Sequence, residues 1–212
     1  MPDGIRLHTY FRSSASWRVR IALHLKGLDY QSLAHHLRKG EQTSDSFLAL
    51  NPQGLVPALE VDGVVLTQSL AICEYLDEIA PRPQLLPPVP LDRAKVRALS
   101  LAIACDVHPL QNLRVLGRLR AAGLDEDTVN VWARDTIEDG LAACAHLLAD
   151  YAGPYCFGEA ITLADICLVP QLANARRFGA RIDYPRIEAI EEACLAHPAF
   201  AETRPELQPD AE

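Results

Sequence analysis

The stretch Tyr10-Phe-Arg-Ser-Ser-Ala-Ser-Trp-Arg-Val-Arg-Ile-Ala-Leu23 decides how the chain begins to fold. Before it, Ile5 to Tyr10 is a short run that ends at a serine-rich turn. After the turn, Trp17, Ile21, Ala22 and Leu25 recur at helical spacing as far as Gly27, which suits a left-handed helix C-terminus. The spacing predicts strand, turn and helix, with the hydroxyls of Ser13, Ser14 and Ser16 gathered where the helix starts. Orphan amides and the macrodipole favour negative charge at such a point and lower the pKa of a thiol brought there. Arg12, Arg18 and Arg20 flank the turn, which makes it a candidate anion or thiolate site.

Outward from this unit, Tyr30 to His36 is expected as a second strand, and Glu41 to Leu50 as one short helix stopped by Asn51-Pro52. Leu55 to Val61, Asp62-Gly63 and Val64 to Leu66 form a hairpin pattern with a type I′ turn. Val56-Pro57 directly precedes the β-run, so a cis bond is expected there, turning the Val56 N–H and C=O outward as an edge for an extended peptide. Gln68-Ser69 opens a further helix through Ile72, Tyr75, Leu76 and Ile79, again a place for a carboxylate, although ordinary capping is the plainer expectation for Ser69 alone. The order is βαβ followed by ββα.

Five of the 15 prolines fall between Pro81 and Pro90, a density that marks a linker at 81–90 between a mixed part, 1–80, and a second part, 91–212. The second part has no convincing period-2 run. Val96, Leu99 and Ile103, then Leu141, Ala145 and Leu148, then Ile166, Val169 and Leu172 repeat at helical spacing, so it is expected to be all helical. Thr162-Leu-Ala-Asp165 has the spacing of a capping box with Asp in place of Glu. Pro109 interrupts a helical stretch and is expected to bend it, exposing His108 and Asn112 on an inner corner.

Hydrophobic residues make up 49% of the 212 and charged residues 23%, which excludes disorder and coiled coil as whole-chain answers. A formal net charge of -8 argues against a nucleic-acid partner, whose recognition rests on neutralising phosphates. The opening residues carry no leader pattern and no apolar run approaches a bilayer span, so a cytoplasmic protein with no membrane partner is expected. The six cysteines form no CxxC pair or Cys/His cluster, so no metal site is expected and all six are read as buried packing groups.

These segments resemble the glutathione transferase superfamily, most closely its zeta class. The resemblance rests on Tyr10 to Leu23, on Ala49-Leu-Asn-Pro-Gln-Gly-Leu-Val-Pro57, on Gln68-Ser-Leu-Ala-Ile72, on His108-Pro-Leu-Gln-Asn112 and on Leu163-Ala-Asp-Ile-Cys-Leu-Val-Pro-Gln171, in order over nearly the whole chain. It implies an α/β domain with the thioredoxin-like glutathione-binding fold, followed by an all-α domain. It also implies glutathione as cofactor, a symmetric homodimer and a small dicarboxylate substrate. The class motif commonly reads Ser-Ser-Cys, whereas this chain has Ala15, which removes the protein thiol a redox role would need.

By matching position, Ser13 or Ser14 would hold the glutathione thiolate, with Ser13 the first choice. Val56 would pair with the cysteinyl backbone, Gln68 and Ser69 would hold the γ-glutamyl carboxylate, and Gln42 would reach the glycyl end. His108, Asn112 and Arg114 would close the other wall, and Arg12 and Arg177 would face the substrate's carboxylates. The reaction implied is glutathione-dependent cis–trans isomerisation of maleylacetoacetate or maleylpyruvate by reversible thiolate addition. The rivals are conjugation of electrophiles such as α-haloacids and a non-catalytic binding or regulatory role.

Overall fold

The structure, a computed structural model, describes residues 4–212; residues 1–3, where the expected first domain begins, lie outside the described residues. Backbone contacts divide the chain into two compact units, one running to Leu85 and including Ala196–Glu212, the other Leu86–Leu195.

The first unit opens with β1 (Arg6–Thr9), α1 (Ser14–Leu25) and β2 (Gln31–Ala34), β2 parallel to β1. Then come α2 (Asp45–Leu50), β3 (Ala58–Val61), β4 (Val64–Thr67) and α3 (Ser69–Ile79). The sheet order is β2-β1-β3-β4, with both later pairings antiparallel. Asp62 and Gly63 both take positive φ, 49° and 77°, as a type I′ turn requires. The single helix expected over Glu41 to Leu50 is instead a 3-10 turn, Glu41–Thr43, followed by α2. Ser44 divides them, because its Oγ accepts from the Phe47 amide and caps the second piece.

Leu7, Val19, Ile21, Leu23, Leu59, Ile72 and Leu76 are fully buried, and α1 is covered on every face from Ser14 to Leu23. The C-terminal tail, read from the sequence as the end of the helical part, supplies much of that cover. Trp17 Nε1 donates to Thr203 Oγ1 at 2.9 Å, and the Phe11 amide donates to Asp210 Oδ2 at 2.9 Å. Residues just past α3 are held to this unit by Asp77, whose Oδ1 accepts from Lys26 Nζ at 2.6 Å and from the Leu85 amide at 2.8 Å.

One polar chain crosses the sheet. Glu60 Oε1 lies 2.6 Å from His8 Nε2, and His8 Nδ1 lies 2.8 Å from His35 Nε2. With Glu60 ionised and both rings neutral, each link has one donor and one acceptor. Burial, reinforced by His8, pushes the His35 pKa below its ordinary 6.5, while the bond from His8 draws Glu60 below its ordinary 4.5. A depressed His35 means that the unfolded chain binds that proton more readily, so stability is full above about pH 6.5 and declines below it. The Glu60 contribution is lost further down, below pH 4.5. Urea midpoints measured from pH 7.5 to 5 should fall in the wild type and fall less in His35→Gln, which keeps a donor for His8 but does not titrate.

In the second unit, α4 (Pro90–Leu101) runs into a π-helical segment, Ala102–Val107, and then a 3-10 turn, His108–Gln111. The bend expected at Pro109 is not a kink in a continuing helix. The helix changes pitch and ends, and Pro109 sits in the first turn of the 3-10 piece, where a missing N–H leaves no bond unmade. α5 (Leu113–Ala121), α6 (Glu126–Leu148), α7 (Leu163–Arg177) and α8 (Pro185–Ala196) follow. The backbone of α6 comes so near the π segment at Gly140 that a Cβ there would lie 2.1 Å from Val107 Cγ2. α7 is buried almost all round and is fixed at its start by Asp165, whose carboxylate accepts from the Thr162 amide as the capping-box spacing implies.

Candidate functional site

Three breaks in regular structure fall at one end of the sheet. The register His8↔Ala58 carries on to set Pro57 and Val56 beside Thr9 and Tyr10, while Ala58↔Thr67 sets Gln68 next to Pro57. The serine turn after β1, the Val56-Pro57 bond before β3 and the start of α3 after β4 therefore share that end. Tyr10, Phe11, Phe47 and Val56 pack there as one apolar cluster, with Leu37 against it. The Val56-Pro57 bond is cis, as the sequence suggested; Arg82-Pro83 is also cis, which the sequence reading missed.

At the turn, Ser13 is the N-cap of α1, and its Oγ accepts from the Ser16 amide at 3.1 Å. That bond occupies a lone pair and leaves the hydroxyl hydrogen to be donated outward. Ser14, the first helical residue, is buried. Arg12 is half-buried, its guanidinium 4.9 Å above the Phe11 ring.

Arg18 and Arg20 do not flank a solvent-facing turn as the sequence suggested. Because α1 is enclosed on all sides, both point into protein. Arg20 donates to Thr9 Oγ1, the Phe11 carbonyl and the Thr203 carbonyl, at 3.1, 3.0 and 3.3 Å, and so holds the turn's shape from within. Burial lowers its pKa to about 10. Arg18 Nη1 reaches Ser69 Oγ at 3.3 Å.

Ser69 is not the cap of α3. Gln68 occupies that position with φ 70°, and Ser69 is the buried first helical residue. Gln68 Nε2 donates to Gln53 Oε1 at 2.8 Å, so Gln53, unmarked by any local sequence signal, joins this group. Gln42 lies in the 3-10 turn, with Oε1 buried and without a donor among the described residues. The loop before β3 passes close to it: at Gly54, φ 62°, a Cβ would stand 3.2 Å from the Gln42 carbonyl.

In the second unit, His108 begins the 3-10 turn and is half-buried. Asn112 caps α5, its Oδ1 accepting from the amides of Arg114 and Val115, both at 3.1 Å, and Arg114 is exposed in the first turn. Arg177 ends α7, exposed, with its guanidinium 4.7 Å above the Phe178 ring. Nearby, Arg176 forms a two-pronged pair with Glu191, both contacts 2.5 Å, and Arg181 pairs with Glu138.

The thiols offer no nucleophile at the serine turn. Position 15 is a buried alanine, and Cys73, the cysteine of the first unit, is fully buried with Sγ 3.8 Å from the Arg18 carbonyl. Cys105 corrects the expectation of six buried thiols, since it is exposed on the π segment. Burial pushes the Cys144 thiol up to about 12 and also raises those of Cys156 and Cys194, with Asp165 adding to both. A thiol held protonated is inert as a nucleophile.

The models "Glutathione S-transferase, N-terminal domain" and "Glutathione S-transferase, C-terminal domain" match residues 12–79 and 120–193. The maleylacetoacetate isomerase of Pseudomonas aeruginosa is 50% identical over 210 residues, covering 97% of this chain and 98% of the relative. The holo structure of a bacterial zeta-class maleylpyruvate isomerase aligns with TM-score 0.95 at 46% identity, over 98% of this chain and 100% of that one. The maleylacetoacetate isomerase of Anaeromyxobacter dehalogenans, solved with glutathione in its active site, aligns with TM-score 0.90 at 45% identity, over 99% and 98%.

Proposed function

Because the chain belongs to the glutathione S-transferase family, in its zeta class, we propose that it is a glutathione-dependent cis–trans isomerase of a maleyl keto acid. The observation that carries this reading is the convergence of two helix N-termini and a cis-proline edge at one end of the sheet. That donor set fits a peptide with an anion at each of two separated points. Gln42 adds a buried acceptor with no donor among the described residues, suited to an N–H at the glycyl end.

Ser13, with Ser14 beside it, would hold the sulfur, and the Val56 main chain would align the cysteinyl unit. Gln68 and Ser69 would take the γ-glutamyl carboxylate, with Gln42 at the far end. From the second unit, His108, Asn112 and Arg114 would complete the binding set. Bound glutathione supplies a thiolate that adds reversibly to a double bond conjugated with carbonyls and so permits rotation about it. The Ser13 hydroxyl and the first amides of α1 keep that thiol deprotonated near neutral pH. Arg12 and Arg177 would grip the substrate's carboxylates, each guanidinium offering two parallel hydrogen bonds. Purified protein given maleylacetoacetate or maleylpyruvate should form the trans isomer only with glutathione present, and the higher kcat/KM identifies the preferred acid. Equal conversion without glutathione would overturn the reading.

We also infer a homodimer in the cytoplasm. Leu91, 65% exposed, and Leu101, 45% exposed, lie on α4 with Ala94 and Ala98 at helical spacing between them, an apolar stripe suited to a second copy. Free cysteines suit a reducing compartment, and among the described residues no helix is long and apolar enough to cross a membrane. Sedimentation at micromolar concentration should give twice the chain mass; an active species near 23.3 kDa would contradict the dimer.

A further inference from the structure

We propose that Arg18 is a positioning residue for the carboxylate end of glutathione, fixing Ser69 as a hydrogen-bond donor and supplying the buried positive charge behind it. This rests on the reading above that the start of α3 holds the γ-glutamyl carboxylate. Arg18 is 1% exposed, in the middle of α1, and its Nη1 is 3.3 Å from Ser69 Oγ. Its Nε and Nη2 are buried with no partner among the described residues. Arg20, two residues along and as deeply enclosed, shows what a structural arginine does in this unit: each of its three guanidinium nitrogens is bonded. A buried guanidinium with donors unmet is unfavourable for folding alone, and an anion held nearby would offset its charge.

The geometry also constrains Ser69. A guanidinium only donates, so the contact with Nη1 uses an acceptor site on Ser69 Oγ and turns the hydroxyl hydrogen away from Arg18. Ser69 is the first residue of α3, whose first-turn amides have no intrahelical acceptor. An anion at that point meets the Ser69 hydroxyl, the amides and the partial positive charge of an 11-residue helix. Arg18 adds a full charge to these. Gln68, held by Gln53 at 2.8 Å, borders the same place with a neutral amide. Charge selectivity for a carboxylate is thereby assigned to a residue that the ligand need not touch.

The test compares two ligands by calorimetric titration: glutathione, and the analogue in which γ-aminobutyrate replaces γ-glutamate, so that the amine is kept and the α-carboxylate is absent. Arg18→Gln should raise the Kd for glutathione by roughly ten- to a hundredfold, the range for losing a charge-assisted contact, and move the Kd of the analogue less than about threefold. Arg18→Lys keeps the charge but not the planar fork, and should fall between wild type and Arg18→Gln for glutathione alone. Thermal melts establish that each variant is folded, and either variant suffices if the other is not. Equal weakening of both ligands, or an unchanged Kd for glutathione in a folded variant, overturns the role of Arg18. Failure of the wild type to bind glutathione at all would instead overturn the glutathione-site reading itself.

Discussion

Ser13→Ala is expected to cut turnover near neutral pH by roughly ten- to a thousandfold, the range for removing one donor aimed at developing or resident negative charge. Ser13 is singled out because its Oγ already accepts from the Ser16 amide, so its own hydrogen has to be given elsewhere. Ser14, by contrast, is buried as the first residue of α1. Losing a donor to a thiolate destabilises the charged form and raises the pKa of the bound thiol. Activity in the variant should therefore rise with pH where the wild type is already level. Alanine also removes an N-cap, costing about 1 kcal/mol of stability, so turnover is to be compared well below the melting temperature. Ser13→Thr, which keeps both the cap and the hydroxyl, should recover most of the loss. Near-normal turnover with a flat pH response in Ser13→Ala would move the role to Ser14 or to the helix amides.

Asp165→Ala is expected to destabilise the protein by about 3–5 kcal/mol, because removing the acceptor leaves several buried donors unpaired, each at about 1–3 kcal/mol. The carboxylate is fully buried and accepts from the Cys156 amide at 2.7 Å, the Thr162 amide at 2.7 Å and Thr162 Oγ1 at 2.8 Å. Burial raises its pKa, and the bonds from Cys156 and Thr162 oppose that rise. Alanine strands two amides and a hydroxyl where water is excluded, at the head of the most enclosed helix of the second unit. Asp165→Asn preserves volume yet turns an NH2 toward donors, which separates loss of the acceptor from loss of packing. The readout is the urea midpoint at unchanged m-value. A shift worth under about 1 kcal/mol in Asp165→Ala would mean that α7 is fixed by packing and that its cap adds little.

What could be read from the sequence was what depends on neighbours in the chain. Asp62-Gly63 encodes its turn through two residues that tolerate positive φ, and Asp165 encodes its reach back to Thr162 through a three-residue spacing. Ser44 also carried a local signal, a serine followed by an acidic residue, but the breaker Asn51-Pro52 hid it by suggesting one helix instead of two pieces. The remainder depends on contacts distant along the chain. Arg18 and Arg20 look like flanking cations until α3 and the tail are seen to cover α1 on every side. Nothing near Gln53 announces Gln68, and nothing near Phe11 announces Asp210. No local pattern sets Cys105 apart from the other five thiols, and it stands exposed on the π-helical segment. Family resemblance supplies the ligand, the reaction and the roles proposed for Ser13 and Ser69, whereas the role proposed for Arg18 rests on its distance to Ser69.

Glutathione sulfur, and no thiol of this chain, is expected to carry the isomerisation and to be returned after each turnover. Proton NMR of the protein with a maleyl keto acid in large excess over glutathione tests this directly. Complete conversion to the trans isomer is expected, with all of the glutathione recovered as free thiol. Conversion that stops at one equivalent with the sulfur locked in a thioether, or that proceeds fully with no glutathione added, would contradict it.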